Sequence, residues 1–367
     1  MVEAARSWRS FVGSWDLVVP GLAIVALAVT WESKPPPLIL AAIGLLLAGS
    51  VLAAVHHAET VARRVGEPFG TLILALAVTV IEVALIVTLM VSEGAEASTL
   101  ARDTVFAAVM ITINGVLGIS VLIAALRYRV AEFNAEGTAS ALATVITITT
   151  LSLVLPRFTT STPGPDFAPA QLTFAAVASL ALYGLFVVVQ TIRHREYFVP
   201  GGGAAVGDPA TEVRPTSREA LRSLVLLLIA LVAVVGLAKV ESPAIEDAIT
   251  AIGAPSSAVG VVIALLVLLP ETIAAVRNAR AGRVQASLNL SLGSAMASIG
   301  LTIPVIALVS IWLDGPLVLG LGATQIVLLS ITAVVAALTI LPGRATIQEG
   351  GVHLVLFAAY LVLAVRP

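Results

Sequence analysis

Two stretches decide how this chain folds: Leu74-Ala75-Leu76-Ala77-Val78-Thr79-Val80-Ile81-Glu82 and Ile263-Ala264-Leu265-Leu266-Val267-Leu268-Leu269-Pro270-Glu271. Each is eight uncharged residues closed by a glutamate. Each also lies within a longer apolar run, 70–91 and 257–276. A helix rises 1.5 Å per residue, so about 20 apolar residues cross a hydrocarbon layer roughly 30 Å thick. Applied outward, the same criterion finds runs at 15–31, 36–55, 70–91, 104–126, 137–156, 170–191, 220–238, 257–276, 286–312, 316–341 and 350–365. None shows the strict alternation of a transmembrane barrel. The expectation is an all-α polytopic membrane protein with 11 transmembrane helices.

Composition agrees. Of 367 residues 59% are hydrophobic and 11% charged, and the mean hydropathy is +1.05. A water-soluble domain carries about 25% charged residues, so a soluble enzyme and a disordered chain are both excluded. A net charge of -2 offers no basic footprint for nucleic acid. With no cysteine there is no disulfide, thiolate metal site or cysteine nucleophile. Arg6 and Arg9 precede the first run as they would in a signal peptide, but Trp31-Glu32-Ser33-Lys34 is a poor cleavage site and a second run follows at once. A retained helix is expected there.

Lys and Arg set the orientation. With eleven crossings, fifteen fall on the amino-terminal side, Arg63, Arg64, Arg127 and Arg129 among them, against five opposite: Lys34, Arg102, Arg157, Lys239 and Arg366. A miscounted span would swap every later loop and blur that bias. The amino terminus is therefore expected in the cytoplasm and the carboxyl end outside, in a cell inner (plasma) membrane. The stretch 193–219, with Gly201-Gly202-Gly203 and Pro200, Pro209 and Pro215, reads as a cytoplasmic linker. It divides the chain into an N-terminal helix (1–35), a first five-helix set (36–192) and a second (220–367). Five is odd, so two homologous sets in series point in opposite directions, as in transporters built from inverted repeats.

The two glutamates support that duplication. Both lie on the second helix of their set; Gly66-Glu67-Pro68 faces Gly253-Ala254-Pro255 upstream, and Gly118 matches Gly300 downstream. Glu82 and Glu271 are the charged residues well inside a run, where an ionised carboxylate costs at least ~2.5 kcal/mol. Protonated glutamates bonding between helices would be one reason for them. A shared midplane ion site is the stronger one. Pro270 lacks an amide proton, which predicts a kink or break beside Glu271 and carbonyls freed for a cation. The ninth run adds Ser287, Ser291, Ser294, Ser298 and Thr302 on one face, with Asn289 and Gly293 close by. The fourth run offers Thr112, Asn114, Gly115, Gly118 and Ser120. Such small residues also serve close helix packing, whereas buried amides need partners. Carboxylates, amides and hydroxyls suit hard cations such as Ca²⁺. Two carboxylates neutralise one divalent ion or hold two protons, and competition for that pair is a physical basis for exchange.

On these residues, Gly66-Glu67-Pro68-Phe69-Gly70-Thr71-Leu72-Ile73-Leu74 through Glu82-Val83, with Pro270-Glu271 and Leu292-Gly293-Ser294, the chain resembles the bacterial calcium/cation–proton antiporters of the cation/calcium exchanger superfamily. The match runs from about His56 to the carboxyl end and includes Leu182-Tyr183-Gly184-Leu185-Phe186 and His353-Leu354-Val355-Leu356-Phe357-Ala358-Ala359-Tyr360. The resemblance implies one extra helix plus two inverted five-helix repeats, and cation and proton exchange at Glu82 and Glu271. It also suggests Asn114, Asn289, Ser294 and Ser298 as further metal ligands. Two departures stand out. Ile81-Glu82 lacks the Pro-Glu dipeptide that Pro270-Glu271 keeps, and the linker has scattered acids in place of an acidic cluster.

His56, His57 and Glu59 at one mouth of the second run read either as solvated interfacial groups or as a pH sensor. Glu67 reads as an entrance acid or an ordinary loop acid, His353 as an interfacial anchor, and Trp8, Trp15, Trp31 and Trp312 as a headgroup belt. No His-Glu-x-x-His, Gly-x-Ser-x-Gly or phosphate loop marks an enzyme. The expectation is a secondary transporter without cofactor, exchanging Ca²⁺ (with Na⁺ or K⁺) for protons, its partners being these ions and membrane lipid. A sodium-driven calcium exchanger and a cation channel are the alternatives.

Overall fold

Helices form where the apolar runs lie, and polar turns separate them. The computed structural model describes residues 15–31, 33, 35–66, 69–93, 98–199, 214–255, 257–312 and 317–367. Glu67, Trp8 and Gly201-Gly202-Gly203 lie outside them. In chain order the helices are α1 (Trp15–Thr30), α2 (Pro37–Val65), α3 (Phe69–Glu93), α4 (Leu100–Tyr128), α5 (Ala135–Arg157) and α6 (Pro169–Arg193). There follow α7 (Ser217–Ala251), α8 (Ala258–Val267), α9 (Leu269–Arg280), α10 (Val284–Val309), α11 (Ala323–Ile340) and α12 (Ile347–Val365). One two-residue antiparallel ladder, β1 (Ala131–Glu132) on β2 (Arg344–Ala345), pairs Ala131 with Ala345.

Among the described residues eight helices are long and apolar enough to cross a membrane, and α8 with α9 passes the same test as a pair. Large apolar side chains face outward along these helices, with Leu45 77% and Val355 68% exposed. Apolar surface on that scale suits lipid rather than water.

The chain divides into two units, Met1–Leu89 with Val213–Ala248 and Met90–Glu212 with Ile249–Pro367. In the first, α1 lies on α2, with Val19 against Gly49 and Leu27 against Gly236 of α7. His57 is buried, and its Nε2 meets the carbonyl of Asp16 at 3.2 Å. It is therefore part of the α1–α2 contact and not a solvated group, while Glu59 is exposed.

In the second unit α4 is buried almost all round from Leu100 to Ser120, as expected of a helix apolar on every face. Glycines let its neighbours approach. A Cβ on Gly118 would lie 2.8 Å from Cβ of His353, and one on Gly350 would lie 2.7 Å from the amide nitrogen of Leu122. α4 and α12 are thus in near backbone contact. α10 meets α6 in the same manner, where a Cβ on Gly300 would fall 2.7 Å from Cβ of Tyr183.

Candidate functional site

The break expected at Pro270 is present. α8 ends at Val267, the next residue Leu268 leaves the helical region with φ of -84° and ψ of 0°, and α9 departs at 54°. Pro270 has no amide proton to offer the carbonyl of Leu266, so the helical ladder is interrupted at apolar depth. Glu271 stands half-buried in the first turn of α9, where the exposed amides and helix dipole favour negative charge. α3 differs: it runs unbroken through Glu82, which is 3% exposed and belongs to the first unit.

α9 and α10 form a hairpin through the short turn at 281–283. Ser287 Oγ donates to the carbonyl of Ala275 at 2.9 Å, which sets their register. One turn farther from the hairpin come Glu271 in α9 and Ser291 in α10. Ser291 Oγ donates to the carbonyl of Thr112 at 2.5 Å. Thr112 lies in a π-helical turn of α4, Ile111–Val116, and its carbonyl also takes the amide of Leu117 five residues on. Turns of this kind inside α-helices often mark functional sites. Both α9 and α10 pack on this turn. Farther along, Ser287 Oγ meets Ser120 Oγ at 2.7 Å.

Asn114 is in the π turn and 0% exposed. Its Nδ2 donates to Thr332 Oγ1 of α11 at 2.9 Å, and its Oδ1 meets Nδ1 of His353 at 3.0 Å. Nε2 of His353 meets Thr339 Oγ1 at 3.2 Å. His353 is itself 0% exposed. It is therefore an internal partner of α4 and not the interfacial anchor expected above. α12 begins at Ile347, three residues before the apolar run, because Thr346 and Glu349 form a capping box. That start carries His353 inward.

The other expected ligands are placed unequally. Ser298 is buried and Ser294 half-buried on α10, beyond Ser291. Asn289 lies nearer the hairpin, and its amide is engaged elsewhere: Nδ2 donates to the carbonyl of Phe198 at 2.6 Å and Oδ1 accepts from Gln285 at 2.7 Å. Gln285 in turn accepts the amide of Asn134, which caps α5. In the second unit Glu271, Asn114, Ser294 and Ser298 thus lie on three mutually packed helices. Asn289 holds the segment after α6. Among the described residues no three His, Asp or Glu side chains gather for a metal.

Sequence reasoning picked out Thr112 and Ser291 as part of polar stripes, but it did not weigh Thr332 or Thr339. Those lie in an apolar helix and gain meaning through Asn114 and His353 respectively.

Over 357 residues, 96% of both chains, the sequence is 44% identical to y4hA of Sinorhizobium fredii (strain NBRC 101917 / NGR234), an ionic transporter by name. It is 33% identical over 351 residues, 95% of each chain, to the sodium-potassium/proton antiporter ChaA of Escherichia coli (strain K12). The crystal structure of the H⁺/Ca²⁺ exchanger CAX superposes with a TM-score of 0.69 at 19% identity, covering 95% of this chain and 92% of that one, so the fold is shared. Residues 36–192 and 222–366 match the family described as sodium/calcium exchanger protein. This chain, whose broken helix carries Glu271 just past the break, belongs to that family of membrane transporters.

Proposed function

We propose that this protein is an antiporter that exchanges Ca²⁺, and as further substrates Na⁺ or K⁺, for protons by alternating access. Glu82 and Glu271 are the groups that take up cation or protons in turn. The observation that carries this is Glu271 just past a helix break, on a helix that packs against the π turn of α4. Asn114, Ser294 and Ser298 supply neutral oxygens. Asn289 joins them only in a state where Phe198 has released its amide. A load of one divalent ion or two protons leaves two carboxylates nearly neutral, so the site changes exposure without carrying a bare charge through low dielectric. The name of ChaA supports extending the cargo to monovalent cations.

The proposed architecture has eleven crossings, one extra helix and two inverted five-helix repeats, with the amino terminus cytoplasmic and the carboxyl end outside an inner (plasma) membrane. The fifteen-to-five bias of Lys and Arg supports it. So does the paired packing of Gly118 on His353 and Gly300 on Tyr183. In each pair the third helix of one set meets the fifth helix of the other, as a twofold relation between the sets requires.

Purified protein in liposomes with an acid lumen and a quenched pH dye tests the assignment. Addition of Ca²⁺, and of Na⁺ or K⁺, is expected to dequench the dye. Silence toward Ca²⁺, Na⁺, K⁺ and Mg²⁺ alike contradicts it. Calcium flux that needs a sodium gradient and survives collapse of the pH gradient makes the protein a sodium-driven exchanger instead.

A further inference from the structure

The hydrogen bonds around Asn114 fix more than its burial. Its Nδ2 donates to Thr332 Oγ1 and approaches Met110 Sδ at 3.8 Å, so its Oδ1 is the accepting end of the amide. Nδ1 of His353, 3.0 Å from that oxygen, must then carry a proton. In the neutral ring Nε2 accepts from the hydroxyl of Thr339. Both ends of the imidazole are thereby held, and close contact between α12 and Gly118 fixes its root. An amide oxygen has two lone pairs. With one taken by His353 and Nδ2 tied to α11, the second has a single direction in which to point.

We propose that His353 is a positioning residue for cation binding: it holds the Asn114 amide in the orientation from which its oxygen meets the ion beside Glu271. This rests on the exchange function above and on Asn114 as a ligand. Partners of this kind, which orient a ligand without touching the ion, commonly change affinity 10–100-fold when removed. The arrangement has no counterpart on α10. At the matching contact of α10 with α6, Gly300 faces Tyr183 and Met296 stands four residues earlier, where Asn114 stands in α4.

Three substitutions separate orientation from packing. Asn at 353 places its Nδ2 where the Nδ1 donor stood, Gln places its donor at the far Nε2 position, and Leu offers none. Initial exchange rates in liposomes, measured against Ca²⁺, Na⁺ and K⁺, are expected to show a KM raised about tenfold or more for His353→Leu and His353→Gln. The same rates should show kcat within about twofold of wild type, and His353→Asn should restore KM to within about threefold. In an Asn114→Ala background the His353 substitutions should leave KM unchanged further. Wild-type KM in both His353→Leu and His353→Gln overturns the proposal, as does a KM in His353→Asn no better than in His353→Gln. If His353→Leu fails to fold, the Asn and Gln pair decides alone. Glu271→Gln is measured alongside. If that variant exchanges ions normally the underlying function falls, whereas if it is inactive and the His353 variants keep their KM, the positioning role alone falls.

Discussion

Glu271→Gln is expected to reduce pH-gradient-driven ⁴⁵Ca uptake into inverted vesicles to the level of empty vesicles, and Glu82→Gln to do the same. Gln keeps the volume and hydrogen-bonding reach of the side chain but can neither release a proton nor carry charge. With one carboxylate left, a divalent ion leaves a net positive load and a single proton cannot balance it. Glu271 stands in the first turn of α9 beside a break, and Glu82 is buried in an unbroken α3. Neither position gains from an acid as packing alone, since charge at apolar depth is unfavourable. Full activity in both variants rejects the assignment. Protein amount in the vesicles, read by immunoblot, separates lost function from lost expression.

Gly118→Val is expected to produce the largest loss of stability. The added Cβ meets Cβ of His353 at 2.8 Å and the backbone nitrogen of Leu354 at 3.3 Å. Backbone atoms cannot turn aside as a flexible side-chain end can, so α4 and α12 must separate. Overpacking of this kind costs about 1–3 kcal/mol, and here it also parts the helices that hold Asn114 to His353. Thermal melting in detergent should fall clearly below wild type, with Gly118→Ala intermediate. Gly44, where an added Cβ meets nothing within 4 Å, is the control: Gly44→Ala should melt as wild type. Equal melting of Gly118→Val and wild type contradicts the close approach.

Much of this was readable in the residues. Among the described residues each apolar run holds a helix, as backbone polar groups in lipid must be satisfied within the segment, although α11 starts at Ala323 and not at 316. The break at Pro270 was readable because a missing amide proton acts locally. The π turn of α4 was not. Ile111 to Val116 has an ordinary helical pattern, and the widened turn is supported by Ser291 from a helix 179 residues away. An apolar run starting at Gly350 puts His353 at a helix end, whereas the Thr346–Glu349 box starts α12 at Ile347. The family resemblance suggests Asn289 as a ligand. Its partner, the carbonyl of Phe198, is a backbone atom, which leaves no trace in side-chain identity.

Proton release on cation binding tests the central claim most directly. Purified protein in weakly buffered detergent solution is titrated with Ca²⁺, Na⁺ and K⁺ while a pH indicator reports protons liberated. If the two glutamates hold cation or protons in turn, wild type releases protons as the cation binds, and Glu82→Gln and Glu271→Gln each release fewer or none. Cation binding without proton release, or equal release from wild type and both variants, contradicts that claim.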